Sequence, residues 1–457
     1  MSQLAVTTIM AGSALLALGL LIPSLKRART AGDLDSSTAL TLGMGWLISL
    51  PVVLAVISGD LVRRPDVFGE LVLILPGWYL GATRFAMVLA AALAVLLALR
   101  QVTSARVPVH VAALFAVLLW TIAHLASGLH GERLISLAGV VLLVCLMAAT
   151  VLPGGRGACL GAGIFGVTLA ITSGALAVFR YDDVFVPCRE QCTVLGASLT
   201  GALPNENLLA VALTAAIPFA YLGFRGAARY WFIFYLAAMA IATTSRTAIV
   251  ASVLIVTALL IVRPHIDAAR VTFGRAAVAG VLLVGALFAS VYVTQHDWNP
   301  SELTDRPHLW EVATAYLHES PAFGYGPEKW TELYRSSEIP RAAQRSAHNQ
   351  WMDVLFVAGW VGAALFVSML AAVLWWSGHA RPGVMVALAT ILMIGTTEGM
   401  WAIGTLDWVS FSLVALILAG SPKETVTSDT GAGARASSRS FMPALSPSRF
   451  AHTGERA

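Results

Sequence analysis

The chain has 457 residues, of which 58% are hydrophobic and only 12% are charged, and its formal net charge is +4. Soluble domains carry roughly 25% charged residues, so this composition excludes an ordinary soluble protein. The small net charge gives no indication of nucleic-acid binding. Apolar runs of nearly twenty residues recur along the chain, and each is long enough to cross a hydrocarbon core of about 30 Å as a helix. The sequence therefore predicts an all-α, polytopic transmembrane bundle.

The apolar runs predict about twelve to fourteen spans. The count stays open because Val67 to Arg84 contains Pro76 and Gly77, and is either an outer-surface segment or part of a broken span. The first run lacks preceding basic residues and is followed by Lys26, so we interpret it as a retained span and not a signal peptide. The candidate spans are 4–25, 39–58, 80–99, 107–127, 134–152, 158–178, 207–224, 230–244, 248–262, 276–294, 350–376, 384–400 and 405–420.

Three regions follow from this pattern. Residues 1–420 form the predicted transmembrane domain, and residues 295–349 form one long polar loop within it. Lysine and arginine are more frequent in the short connections that would be cytoplasmic, which favours an external N-terminus and an extracytoplasmic loop. Residues 421–457 are rich in Ser, Thr, Gly and Pro and predict a disordered cytoplasmic tail.

The four cysteines fall into two pairs. Cys145 and Cys159 lie in or beside apolar runs, which indicates packing. Cys188 and Cys192 lie in a polar connection predicted to be external, where oxidation is possible. A disulfide and two free thiols both remain open for this second pair.

Residues 230–262 are too long for one crossing and are interrupted only by Thr243-Thr244-Ser245-Arg246-Thr247. A hairpin at this point leaves arms of roughly 23 Å, shorter than a bilayer core, so Arg246 is expected at or below the outer interface. An arginine at that depth either faces a partner or wet cavity with a function or snorkels to the interface. Both interpretations stay open.

Two carboxylates, Glu398 and Asp407, are expected at the outer mouth of two short spans. Glu398 follows two threonines in the sequence TTEG. Either carboxylate could pair with Arg246 or Arg306, and either could merely solvate a turn.

The polar loop begins with a predicted amphipathic helix over residues 305–319. Its apolar face combines positions at helical spacing, and Thr304 or Asp305 could cap it. We expect this helix to lie on the outer membrane face, with Trp310 and Trp330 as interfacial anchors. The apolar positions are Leu309, Val312, Ala313, Tyr316 and Leu317.

His348 lies at the first turn of the span that follows the loop. The positive end of the helix dipole disfavours an imidazolium there, so His348 is expected to be neutral, as a general base must be. Backbone N–H groups exposed at that helix start would suit an anion. The alternative is that His348 and Asn349 are only cap and interface residues.

Four blocks together carry a family resemblance. They are RPHLW with the following ESPAFGYG, HNQWMDVLFVAG, the TTSRTA hairpin, and GALPNENLLA. In these blocks and their order the chain resembles the O-antigen ligase and O-antigen polymerase superfamily, which also contains bacterial O-linked oligosaccharyltransferases. The resemblance covers residues 200–400, and Pro307 and His308 depart from the small polar residues that family members often carry after the loop arginine.

The resemblance implies an enzyme that uses a glycan linked through diphosphate to a polyprenyl lipid such as undecaprenol. The glycan would be joined to a glycan, lipid or protein acceptor on the extracytoplasmic face of the cytoplasmic (inner) membrane, with inversion and without a metal or other cofactor. His348 matches the family's histidine, the base for the acceptor hydroxyl. Arg306 and Arg246 match the arginines that would hold the diphosphate.

Four further residues are candidates for substrate binding. Asn207 matches less closely than the arginines, since capping of the span near Leu208 explains Asn205 and Asn207 about as well. The complete set of these candidates is Asn207, Asn349, Trp310 and Glu398.

Two other classes of protein are compatible with many apolar helices and buried arginines. A secondary transporter or flippase would be expected to show paired halves with broken helices at matching positions, and we find one long loop and no such pairing. A scaffold without catalysis would tolerate loss of His348. The sugar, the acceptor and the choice between ligase and polymerase stay open.

Overall fold

The computed structural model describes residues 2–60, 62–65, 71–103, 108–132, 135–187, 195–264, 272–296, 298, 303, 306–339 and 346–420. Cys188, Cys192, the capping candidates Thr304 and Asp305, and the predicted tail at 421–457 lie outside these residues. In chain order the helices are α1 Gln3–Thr30, α2 Ser36–Ser58, α3 Tyr79–Val102, α4 Val111–Leu129, α5 Leu137–Ala149, α6 Arg156–Phe179, α7 Tyr181–Val184, α8 Glu206–Gly223, α9 Ala228–Ala242, α10 Arg246–Val262, α11 Phe273–Gln295, α12 Arg306–Glu319, α13 Lys329–Arg335, α14 Gln350–Trp376, α15 Arg381–Ile394 and α16 Ser410–Ala419.

Two short antiparallel ladders join the helices. Strand β1 (Val62–Pro65) pairs with β2 (Leu71–Ile74) after α2, and β3 (Phe185–Pro187) pairs with β4 (Ala197–Leu199) before α8. Within the ambiguous stretch from Val67 to Arg84, Leu71–Ile74 form strand β2 and the residues from Tyr79 onward belong to α3. The described part before α3 is therefore not helical. These ladders are small, and the predicted all-α helical fold is confirmed.

Every predicted apolar run contains a helix, but the helices differ in length. In the described part of the chain, eight helices are long and apolar enough to cross a membrane, namely α1, α2, α3, α4, α6, α8, α11 and α14. The other apolar runs give helices of 10–17 residues, which are α5, α9, α10, α15 (with the preceding turn) and α16. The count of twelve to fourteen spans stays a prediction, because the shorter apolar helices continue into loops whose position relative to the membrane the length alone does not give.

Small residues set the packing at the centre of the bundle. Helix α6 packs against α2, α8 and α16, and Gly166 and Gly163 of α6 lie so close to Ala216 and Ala220 of α8 that a Cβ would not fit. Lipid tails give no hydrophobic drive for helix association, so such close contact is a main source of stability. Cys145 and Cys159 are both buried, as predicted.

Helix α14 is broken at Gly359, whose backbone (φ 62°, ψ −162°) leaves the helical region. Residues 321–326, here named the docking segment, pair with the broken stretch. Four backbone hydrogen bonds of 2.9–3.1 Å make this pairing: Tyr325 N to Phe356 O, Gly326 N to Val357 O, Trp360 N to Pro321 O, and Val361 N to Ala322 O. Backbone groups need protein partners at membrane depth, and the polar loop supplies them here.

The docking segment also explains the glycines of the loop motif. Gly324 and Gly326 have positive φ values of 68° and 86°, and a Cβ on either would meet backbone of α14 or α4. Glycine adopts this conformation without the steric cost of other residues. The effect is to fix the polar loop against α14 close to the point where that helix begins.

Candidate functional site

Helix α12 forms as predicted, but it contacts protein where lipid was expected. Leu309, Trp310 and Ala313 are buried in the packing of α12 on α14. Trp310 and Trp330 are only 4% and 1% exposed, so their expected role as interfacial anchors is wrong. The reason is the docking segment, which folds the loop back onto α14. Trp330 consequently stacks on Phe356, with ring centroids 4.1 Å apart.

His348 is held in a left-handed backbone conformation, with φ 52°. Its N–H donates to Ser346 Oγ at 3.2 Å. The preceding residue, Ala347, donates its N–H to Asp353 Oδ1 at 2.6 Å and accepts from the Trp310 indole at 2.9 Å. A non-glycine residue stays in this conformation only when its surroundings over-determine it, and such residues cluster at functional sites.

Asn349 caps α14 and is fully buried. Its Oδ1 accepts from the N–H groups of Trp351 and Met352, and its Nδ2 donates to the carbonyls of Ser290 and Thr396. The N–H of the first helical residue, Gln350, donates to the carbonyl of Gly395 at 2.8 Å.

These bonds overturn one expectation. The N–H groups of the first turn of α14 are occupied by protein acceptors, so the predicted anion site at this helix start is wrong. The sequence could not show that a second loop reaches the same helix end. Asn349, predicted as a substrate-binding candidate, uses its side-chain amide to join α11, α14 and the loop after α15.

The side chains of His348, Glu398 and Arg306 form one connected array. Nδ1 of His348 lies 3.0 Å from Glu398 Oε2, and Nη2 of Arg306 donates to Glu398 Oε1 at 2.5 Å. The Glu398 side chain is 9% exposed, whereas those of Arg306 and His348 are 16% and 24% exposed. The carboxylate is therefore the deepest member, and the two basic side chains are more open to solvent.

The negative charge of Glu398 determines which ring nitrogen of His348 carries the proton. Burial by itself would raise the pKa of Glu398, but the hydrogen bond from His348 and the charge of Arg306 outweigh burial and hold the pKa below its usual range. An ionised carboxylate only accepts hydrogen bonds, so Nδ1 of His348 carries the proton in their contact. In a neutral imidazole this leaves the lone pair on Nε2. The array thus presents a nitrogen that can accept a proton on an oriented ring.

Glu398 lies in the loop after α15, which Gln350 fixes in place. The Gln350 side chain accepts from the N–H groups of Met400 and Trp401 and donates to the Trp401 carbonyl. Sequence reasoning missed this residue, although three consecutive polar residues at the start of a span were a usable signal. Asp407, by contrast, accepts from the N–H groups of its own loop, so its structural interpretation is the correct one.

The hairpin between α9 and α10 lies beside the same loop. Thr247 Oγ1 is 2.6 Å from Thr397 Oγ1, next to Glu398. Thr244 has a positive φ of 64° and shares a hydrogen bond with Ser198 of β4. Arg246 is the first residue of α10 and is exposed, so it stands one residue from the contact that joins the hairpin to the Glu398 loop.

Asn205 and Asn207 occupy the start of α8. Asn205 is the cap, and its Oδ1 accepts from the Leu208 N–H at 2.8 Å. Asn207 is exposed in the first turn. The capping interpretation is therefore correct for Asn205, and no contact described here joins Asn207 to the His348 array.

The structure brings some of the predicted site residues into one cluster. His348 and Arg306 meet through Glu398. Thr247, the residue after Arg246, contacts Thr397 beside Glu398. Trp310 contacts the backbone beside His348, and Asn349 supports that backbone from the other end. Glu398, one of the four predicted substrate-binding candidates, occupies the centre of the array.

Comparison with known proteins adds one finding. Residues 231–367 match the family model described as O-Antigen ligase (Wzy_C). The matched stretch contains Arg246, Arg306 and His348 and ends before Glu398. No curated protein and no solved structure matches the chain.

Proposed function

The chain carries an O-antigen ligase domain at residues 231–367, which places it in the O-antigen ligase and polymerase superfamily, and from this premise we propose that it transfers a glycan from a polyprenyl-diphosphate carrier to an acceptor hydroxyl. The family and the apolar helices make it a multi-pass membrane protein of glycosyltransferase type. The observation that carries the finer proposal is the array of His348, Glu398 and Arg306, a base oriented by a carboxylate beside a fixed positive charge.

His348 is the general base of the proposed reaction. Nε2 takes the proton of the acceptor hydroxyl as the oxygen attacks the anomeric carbon of the donor. The bond from that carbon to the diphosphate breaks, and its electron pair leaves with the polyprenyl diphosphate, which inverts the anomeric centre. Glu398 holds Nδ1 and stabilises the imidazolium that forms, the role a buried carboxylate has beside a catalytic histidine. A base of this kind contributes about 10²–10⁴-fold.

Arg306 and Arg246 hold the leaving diphosphate. Negative charge grows on that group as the bond breaks, so fixed guanidinium groups favour the transition state over the ground state. Glu398 receives one donor from Arg306, and a guanidinium has further N–H donors for phosphate oxygens. Arg246 would approach from the hairpin, whose arms are short enough to keep its start near the membrane interface.

The remaining candidates divide by their surroundings. Trp310 and Asn349 are buried and hold the backbone on either side of His348, so we assign them positioning roles. Asn207 is exposed at the start of α8 and would contact substrate only at the edge of the site. The site would face the extracytoplasmic side of the inner membrane, where lipid-linked glycans are consumed, and no metal or nucleotide enters the proposed step.

Reconstitution tests the proposal. The full chain in liposomes should transfer glycan from a polyprenyl-diphosphate donor to an acceptor glycan and release the lipid diphosphate. Arg306→Ala should remove this transfer while membrane expression stays intact, because both the phosphate contact and the Glu398 pair are lost. Arg335→Ala, an exposed residue of α13, is the matched control. Normal transfer by Arg306→Ala would remove that residue from the site.

A deletion strain separates the two forms of the reaction. Unligated long chains on the carrier would identify a ligase, and single repeat units would identify a polymerase. Return of the native surface glycan with the wild-type gene, and not with the Arg306→Ala gene, is the expected complementation result.

A further inference from the structure

Gly399, the residue after Glu398, is a glycine that its own backbone does not require, because its φ is not positive. The reason for glycine is space. A Cβ at this position would lie 2.7 Å from Ser346 Oγ and 2.9 Å from Asp353 Oδ2, whereas non-bonded heavy atoms pack best at about 3.5–4.0 Å. The missing side chain therefore lets the segment that carries Glu398 lie directly against residues 346–348.

Asp353 reaches the same place from the first turns of α14. It is 3% exposed, and its Oδ1 accepts from the N–H of Ala347 at 2.6 Å. Ala347 immediately precedes His348, so this bond fixes the peptide on one side of the histidine. The left-handed conformation of His348, with φ 52°, is unfavourable for a residue with a side chain and needs such support.

The second oxygen of Asp353 shows that this carboxylate is poorly suited to stabilising the fold. Within the part of the chain that the structure describes, Asp353 Oδ2 has no hydrogen-bond partner, although it is buried. A buried polar atom without a partner is unfavourable, and an apolar side chain of similar size would avoid this cost. What the carboxylate contributes in this position is the bond to the Ala347 N–H.

We infer that Asp353 and Gly399 are positioning residues of the proposed reaction, on which this inference rests. Together they set the distance between the imidazole of His348 and the carboxylate of Glu398. Asp353 holds the backbone of the histidine, and Gly399 lets Glu398 approach until its Oε2 lies 3.0 Å from Nδ1. A misplacement of about 1 Å in such a site can lower the rate about 10²-fold. Neither residue contacts substrate in the proposed step.

Two variants of Asp353 test its side of the contact. Asp353→Leu keeps the approximate size and removes the acceptor, so kcat for glycan transfer in liposomes should fall about tenfold or more. The KM values for donor and acceptor should stay within about twofold of the wild type, because no substrate contact is lost. Asp353→Asn keeps an oxygen for the Ala347 N–H and should restore most of the lost kcat. A wild-type kcat in folded Asp353→Leu would overturn the inference.

Gly399→Ala tests the other side of the contact. The new methyl group must displace the segment of Glu398 from Ser346, and kcat should again fall about tenfold or more. Gly285→Ala in α11 is the matched control, since a Cβ there meets no atom within 4 Å. Melting temperatures in phospholipid nanodiscs show whether each variant is folded. If Asp353→Leu does not fold, Gly399→Ala decides alone, and a kcat equal to that of Gly285→Ala overturns the inference.

The His348→Ala background separates positioning from general damage to the protein. Without an imidazole to position, Asp353→Leu should lower the remaining transfer rate by less than about twofold. An equal loss in both backgrounds would show a structural role and overturn the inference. The proposed function fails separately, if the wild type transfers no glycan or if His348→Ala transfers at the wild-type rate.

Discussion

Helices α8 and α14 both begin with an asparagine cap, and the two starts differ in everything around that cap. Asn205 of α8 is exposed and bonds one N–H of its own helix. Asn349 of α14 is buried, follows a residue with positive φ, and bonds two other segments. The same short signal therefore marks a plain helix end in one place and a site in the other. The difference between the two helix starts depends on whether other parts of the chain pack over the cap.

The largest effect is expected when the side chain before the buried cap is removed. His348→Ala should reduce glycan transfer by about 10²-fold or more, because the proton acceptor is lost. Asn205→Ala, at the start of α8, should leave transfer at the wild-type rate. Both are measured with the reconstituted enzyme and polyprenyl-linked donor. Transfer by His348→Ala at the wild-type rate would make the start of α14 no more than a cap.

The next variant changes the centre of the array without changing its shape. Glu398→Gln keeps the size of the side chain and removes the charge that orients Nδ1 of His348, and we expect a loss of about 10²-fold. The measurement is kcat across pH, with the KM for the donor determined in parallel. A merely structural ion pair would lower the amount of folded protein and leave the kcat of the folded enzyme unchanged.

The same variant has a second readout, thermal stability against pH. The pKa of Glu398 in the folded protein lies below its usual range. Such a group stabilises the fold above its unfolded pKa of about 4.3 and loses that contribution as the pH falls through its folded value. The gap in melting temperature between wild type and Glu398→Gln should therefore be full at neutral pH and shrink in acid. A gap that is constant across pH would contradict the ionised carboxylate.

A third helix start, that of α10, carries Arg246 as its first residue. Arg246→Lys should lose roughly tenfold or more in transfer, because one ammonium does not replace the bidentate guanidinium on a phosphate. A contact of this kind is worth about 1.5–3 kcal/mol. The rate is compared with that of Arg263→Lys, a change at the other end of α10. Near-normal turnover by Arg246→Lys would favour simple snorkelling.

The last prediction is measured as stability. Asn349→Ala should destabilise the protein by about 2–4 kcal/mol, because a cap is lost and buried N–H and carbonyl groups lose their partners. Asn205→Ala should cost about 1 kcal/mol or less, since water can replace an exposed cap. Thermal unfolding of both variants in the same nanodiscs gives the ranking. Equal melting temperatures would remove the distinction between the two caps.

Apolar run length and helical spacing were sufficient to predict the helices, because these are local properties. The short hairpin before Arg246 followed from the same arithmetic, since two arms had to share one apolar stretch. The burial of Cys145 and Cys159 followed from their apolar neighbours. The family resemblance was confirmed over residues 231–367, while the roles of His348, Arg306 and Arg246 remain proposals.

Tertiary contacts account for what could not be predicted. Glu398 lies 50 residues from His348 and 92 from Arg306 along the chain. The sequence alone therefore does not distinguish a carboxylate in a solvated turn from one that is buried with partners. Trp310 was predicted to be a membrane anchor, and this prediction was wrong. Its burial depends on a loop that folds back, and a local sequence pattern does not show such a contact. The predicted anion site at the start of α14 was wrong, because the N–H groups there donate to the Gly395 carbonyl and the Asn349 side chain.

The break at Gly359 has a consequence for how this protein is made. In the broken helix the carbonyls of Phe356 and Val357 and the N–H groups of Trp360 and Val361 bond to the docking segment. Left unpaired in lipid, each would cost several kcal/mol. Residues 321–326 supply the missing bonds, and the ribosome synthesises them first. The broken form of α14 is thus favourable in lipid only with the docking segment in place. The bend at Gly359 therefore forms together with the folding of the polar loop and not before it.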